Sequence, residues 1–210
     1  MRRFWMIIIA MLPSLASAAE PLPWATKQED IARVEAYLTN LTTIVADFNQ
    51  ADANGHMSEG KFYLKRPGKM RWQYKPPTPI LLVSDGQVLT YFDSELDQIN
   101  YVPLGDTLAG FLAAPQIKLN SDAVKLTKFE SANQMIRATV VQADKPDEGG
   151  LTLELTDAPL QLRQMVVTDT TGQRTQIQLQ NAQFGTDLPD SLFVFEDPRG
   201  IQARRRRGGR

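Results

Sequence analysis

Cysteine is absent from this chain of 210 residues, and histidine occurs once. The first absence excludes a disulfide framework, a thiolate metal site, a cysteine nucleophile and an acylated N-terminal cysteine. The second leaves no cluster of imidazoles for a metal, and His56 lies in the loop stretch Asn54-Gly55-His56-Met57, where a lone histidine reads as a surface residue without a partner. There is no Gly-x-Ser-x-Gly elbow, no phosphate loop and no repeat that would argue a solenoid. A Ser-His-Asp triad has no local support. Paired carboxylates remain a formal option, but Asp85, Asp93, Asp97 and Asp106 all fall at strand ends or beside turns, where aspartate serves the backbone. The chain reads as no enzyme, with no cofactor and no metal.

A membrane-spanning run is missing from the N-terminus. The apolar stretch Phe4 to Leu12 is nine residues, well short of the ~20 that a spanning helix needs. It follows Arg2 and Arg3 and precedes Pro13 and Ala16-Ser17-Ala18, which is the grammar of a secretory leader. Residues 1–18 are therefore expected to be a signal peptide cleaved after Ala18, leaving one domain over 19–200 large enough to bury a core without staples.

Positive charge is scarce in the body. Of the 23 Lys and Arg, two lie in the leader and six at or beyond Arg199, so residues 19–198 carry 15 against 24 Asp and Glu, a net of −9. That balance argues against a nucleic-acid partner. The stretch 201–210 is arginine-rich and of low complexity, and is read as a disordered tail; a solvated tail and a weak attraction to anionic lipid both fit it.

What is present is alternation. Thr26-Lys27-Gln28-Glu29 has capping-box spacing, and Ile31, Val34, Leu38 and Leu41 share a helical face, so a helix is expected over about 27–41. Beyond it the period becomes two. Strands are expected over 45–53, 60–65, 69–75, 80–84, 88–92, 98–102, 124–129, 135–142, 151–156, 162–168 and 174–184, with a closing strand over 193–195 and a short helix over 106–114 stopped by Pro115. Asp85-Gly86 predicts a hairpin. About eleven antiparallel strands cannot stay flat, which gives an α+β fold: a single incomplete antiparallel β-barrel whose apolar concave face is covered by short helices.

Alternation in Lys69-Met70-Arg71-Trp72-Gln73-Tyr74-Lys75 puts Met70, Trp72 and Tyr74 on one face, and Leu82, Leu89 and Tyr91 continue it. An ordinary core accounts for this pattern; a binding concavity accounts for it too, and the methionine favours an adaptable lining. Arg66, before Pro67-Gly68 at a strand end, is either a solvated turn residue or a five-donor group bonding several carbonyls at once.

Phe48-Asn49-Gln50, the run Gly60-x-Phe62-x-Leu64-x-Arg66-Pro67-Gly68-x-Met70-x-Trp72, Leu82-Val83-Ser84-Asp85-Gly86 followed by Tyr91-Phe92-Asp93, and Phe193-Val194-Phe195-x-x-Pro198-x-Gly200 together resemble the periplasmic lipoprotein carrier family LolA, over nearly all of the mature chain. The resemblance implies an incomplete barrel and a monomeric periplasmic chaperone. Such a protein takes acylated lipoproteins from an inner-membrane ABC transporter and passes them to an outer-membrane receptor, LolB. It implies that Met70 and Trp72 line an acyl-chain cavity and that Arg66 holds the lid helices closed; Phe48, Phe62, Leu64, Tyr74, Leu82, Leu89, Tyr91, Leu108, Phe111 and Leu112 are expected to line the same cavity. The missing cysteine argues against LolB itself. A regulatory module of the same fold, sensing lipid or lipoprotein, is the alternative, and a secreted esterase or glycosidase comes third.

Overall fold

A computed structural model describes residues 23–198; the expected leader over 1–18 and the arginine tail over 201–210 lie outside the described residues. The first element, α1, is Pro23–Asn40. Its range contains the helix expected over about 27–41 from spacing, apart from Leu41. Val34 and Leu38 are fully buried, Leu41 nearly so, and Ile31 packs against the same cluster, which is the face expected from spacing.

Eleven strands follow: β1 (Thr43–Ala51), β2 (Met57–Lys65), β3 (Lys69–Tyr74), β4 (Ile80–Asp85), β5 (Val88–Asp93), β6 (Gln98–Pro103), β7 (Val124–Ala132), β8 (Met135–Gln142), β9 (Gly150–Thr156), β10 (Gln161–Thr168) and β11 (Arg174–Phe184). They form one antiparallel sheet in the order β6-β5-β4-β3-β2-β1-β11-β10-β9-β8-β7. Among the described residues β6 and β7 are left as edges, so the barrel is open. Ile44, Ala46 and Phe48 of β1, Phe62 and Leu64 of β2, Ile136, Ala138 and Val140 of β8, and Leu151, Leu153 and Leu155 of β9 alternate into one contiguous core.

Three bulges bend the sheet. They lie between Val45 and Asp47 where β1 pairs β11, between Leu126 and Lys128 on β7, and between Leu162 and Gln164 on β10. The last lets Leu162 and Met165 both reach the core. At the first, Asn181 takes φ 50° and its amide donates to Asp47 Oδ2 at 3.0 Å. Close approach explains Gly60: a Cβ there would stand 2.2 Å from the Gln73 carbonyl oxygen and 2.7 Å from the Phe48 ring.

The Asp85-Gly86 hairpin forms, with Asp85 Oδ1 accepting from the Gln87 and Val88 N–H groups at 2.9 and 3.0 Å. Two expectations need correction. The short helix α2 is Leu108–Ala113, not 106–114, because Thr107 takes the cap position and accepts from Gly110 N–H, while Leu104–Asp106 form a separate 3-10 turn. The closing strand over 193–195 does not form. Asp190–Phe193 is a 3-10 turn after Pro189, and Phe193 is buried where this segment packs on β3 and β4.

Candidate functional site

A cavity of about 170 Å³ opens on the concave side, walled by Met70, Trp72 and Tyr74 of β3, Leu82 of β4, Leu108, Ala109 and Leu112 of α2, and Leu151, Met165, Val167 and Ile177 of β9, β10 and β11. In a flat sheet β4 and β9 would stand six strand spacings apart, roughly 29 Å, so a wall shared by Leu82 and Leu151 requires a rolled sheet. No acid or base faces the space. Its one hydroxyl, on Tyr74, donates to Gln50 Oε1 at 2.7 Å, and burial pushes its pKa up to about 12. The lining is thus apolar and uncharged at neutral pH.

Of the positions expected from sequence, Met70, Trp72, Tyr74, Leu82, Leu108 and Leu112 meet at this wall. Phe48, Phe62, Leu64 and Phe111 are instead buried in the core behind it. Phe62 stacks on Trp72 with centroids 4.1 Å apart, and Phe48 meets Trp72 and Tyr74 edge-on at 5.1 and 5.0 Å, so the buried rings orient the lining ones. Leu89 and Tyr91 stand further toward the β6 edge, half-buried. Register places Tyr91 beside Leu82 and Leu89 beside Ser84, on the concave face. Sequence reasoning missed Ala109, Leu151, Met165, Val167 and Ile177. Their alternation is visible, but which strands meet across a rolled sheet is not.

Arg66 bonds both helices beside this space. Its Nη1 donates to the Leu38 carbonyl and, at 2.5 Å, to the Leu41 carbonyl at the end of α1; its Nη2 donates at 2.7 Å to the Leu112 carbonyl of α2. One planar group thus bonds both helices. The backbone repeats the tie, with Arg66 N–H donating to Thr42 and Gly68 N–H to Ala113, each at 2.8 Å. Burial lowers the guanidinium pKa to about 10, which leaves it cationic at neutral pH. This geometry decides between the two sequence readings of Arg66: it is not a solvated turn residue.

Further fasteners were not legible in sequence. Glu35 accepts from Leu119 N–H at 2.8 Å and pairs with Lys118, and Thr39 accepts from Ile117 N–H at 3.0 Å, so the segment after α2 is bound to α1. Across the sheet, Tyr37 Oη accepts from Leu162 N–H, and Arg33 pairs with Asp157. On the convex side Lys65 and Lys69 grip Asp190 at 2.7 and 2.8 Å, and Lys65 also donates to the Leu188 carbonyl. Their hydrogen bonds hold the Asp190 carboxyl down to about 2.

His56 is an exposed loop residue, but it is not without a partner: Nδ1 lies 3.0 Å from Asp52 Oδ2. Asp85 and Asp93 bond backbone N–H groups in turns. Among the described residues no group of three or more His, Asp or Glu could hold a metal ion.

Two relatives named outer-membrane lipoprotein carrier protein are similar along almost their whole length. That of Chromohalobacter salexigens is 31% identical over 92% of this chain and 95% of its own, and that of Methylococcus capsulatus is 29% identical over 95% of each. A solved LolA-superfamily structure from Nitrosomonas europaea aligns with a TM-score of 0.44 at 12% identity, covering 79% of this chain and 97% of its own. The family model for outer membrane lipoprotein carrier protein LolA matches residues 39–196, three quarters of the sequence and every strand of the sheet, and the chain belongs to that family.

Proposed function

We propose that this protein is a periplasmic chaperone that carries acylated lipoproteins, sheltering their acyl chains on the concave face beneath α1 and α2. The observation that carries the reading is an uncharged cavity walled in part by α2, which the Arg66 guanidinium bonds to the end of α1. Three acyl chains expose on the order of 40 methylenes, and at ~0.8 kcal/mol each their transit through water bare would cost roughly 30 kcal/mol. A carrier must offset most of that cost and still release its load.

The closed cavity is far too small for three chains. Its volume of about 170 Å³ compares with the ~150 Å³ of a dry protein cavity that takes a single benzene. Loading therefore requires α1 and α2 to lift, breaking the bonds from Arg66. The apolar faces of the helices, Leu108 and Leu112 among them, compete with cargo for the same wall, so closure of the empty state weakens net binding and permits release. In this reading the donor is an inner-membrane ABC transporter and the acceptor is the receptor LolB. The test is mass spectrometry of what co-purifies with the protein from the periplasm. Acylated proteins are expected; a polar small molecule, or nothing acylated, would overturn the reading.

A further inference from the structure

The two edges of the sheet are built differently. β7 carries Lys125, Lys128 and Glu130 and a bulge, and α1 packs against it; charges and bulges of this kind blunt an edge against pairing. β6, Gln98–Pro103, carries no charge at all, and Tyr101 and Val102 on it are exposed at 63% and 39%. Among the described residues no strand pairs with its outer side.

The register defines what that side offers. Leu104 N–H donates into the sheet to the Gln87 carbonyl, so the two-residue alternation of an antiparallel ladder points the backbone groups of Val102, Asn100 and Gln98 inward. Those of Ile99 and Tyr101 point outward, together with the Pro103 carbonyl. Val102 lies beside Leu89, and Asn100 beside Tyr91 and so Leu82, which places the edge two strand spacings, about 10 Å, from the Leu82 wall.

We infer that β6 is a strand-addition site for the extended polypeptide that follows the acylated residue of the cargo. This rests on the carrier reading above. A six-residue edge is too small an interface to hold a free partner or a second copy of this chain. A segment tethered to acyl chains already seated in the cavity meets the edge at an effective concentration in the millimolar range, where a few backbone bonds suffice. Backbone pairing ignores side-chain identity, so it would serve cargoes of unrelated sequence.

The test uses the full chain and two probes: a triacylated cysteine bearing a short neutral peptide, and the same lipopeptide N-methylated at alternate peptide amides. Both should bind, the methylated probe about tenfold more weakly through the loss of two bonds. Amide hydrogen exchange at Ile99 and Tyr101 should slow only with the unmethylated probe. Tyr101→Pro, which removes an outward N–H and the bond it would donate, should narrow the difference between probes while still binding the methylated one as wild type does. Equal affinities with no slowing at β6 would overturn strand addition and leave the carrier reading intact, whereas failure of both probes to bind would remove the carrier reading itself. Slow exchange at Ile99 and Tyr101 before any probe is added would show the edge already occupied, by another copy if it grows with protein concentration and by the chain's own tail if it does not; either overturns the inference.

Discussion

Replacing Arg66 with leucine removes the guanidinium donors that bond the end of α1 and α2 while keeping an apolar stem, and leaves the backbone bonds from residues 66 and 68 and the Glu35 and Thr39 bonds to residues 117–119 in place. Three bonds from a cation to carbonyls contribute about 1.5–3 kcal/mol each, roughly 5–9 together. Against this, burial that holds the guanidinium at about 10 instead of 12.5 costs about 3 kcal/mol at face value, and about 2 once its partial exposure is allowed for. The net contribution to closure is on the order of 4 kcal/mol, part of which leucine returns by packing. The closed-to-open ratio should therefore fall about a hundredfold or more. With less competition from the closed state, cargo should still load but should not leave, and the loaded form should accumulate. A two-step assay scores release of a lipoprotein from inner membranes and handover to the receptor separately, with hydrogen exchange at the C-terminal turn of α1 reporting opening. Equal impairment of both steps in a folded variant would refute the gate, and normal handover would show that the three bonds have no part in it.

Trp72→Glu places a carboxylate at the apolar wall, a burial penalised by several kcal/mol unless it protonates, so a variant that circular dichroism shows to be folded should lose uptake of an acylated lipoprotein; unchanged uptake would remove this face from the binding site. His56→Ala removes only an exposed partner of Asp52, so stability should move by less than about 0.5 kcal/mol and transfer should persist; a large loss of activity without unfolding would reopen an enzymatic reading. Asp190, held at about 2 by Lys65 and Lys69, has a folded pKa below its unfolded value, so its grip is complete above about pH 4 and is lost as pH falls toward 2. Hydrogen exchange over residues 188–193 should stay constant from about pH 7 to pH 5, after correction for intrinsic rates, and quicken only below that window; earlier loosening would show that the ion pairs do not hold the segment.

Much of the fold is written as period. The alternation of β3 and the spacing of α1 gave their buried faces directly, because both patterns depend only on local geometry. Half of the expected lining residues meet at the cavity for the same reason. Phe48 and Phe62 share that face yet sit behind the wall, since depth within a rolled sheet depends on curvature and not on parity. The bulge at Asn181 that helps set the curvature has no signature beyond an asparagine that tolerates positive φ. Phe193-Val194-Phe195 looks like a strand by composition, but Phe193 buries alone on the convex side without pairing. Glu35 and Thr39 read as a polar helix face, and nothing local says that they bond the backbone of residues 117–119.

The order of the strands also bears on how the chain acquires its shape. Every neighbouring pair in the sheet is consecutive in sequence except β1 with β11, which joins Ile44–Ala51 to residues 176–184. Two meanders, β1–β6 and β7–β11, can each zip up through short hairpins, and a single long-range seam then unites them. Closing a loop of well over a hundred residues is the entropically dearest event in this topology, which makes the seam the expected late and slow step. Until it forms, the half of the concave lining on β3 and β4 and the half on β9, β10 and β11 belong to separate sheets. The binding surface is thus a property of the finished seam, and a sequence change at the β1–β11 bulge would act on assembly kinetics without touching a residue of the cavity wall.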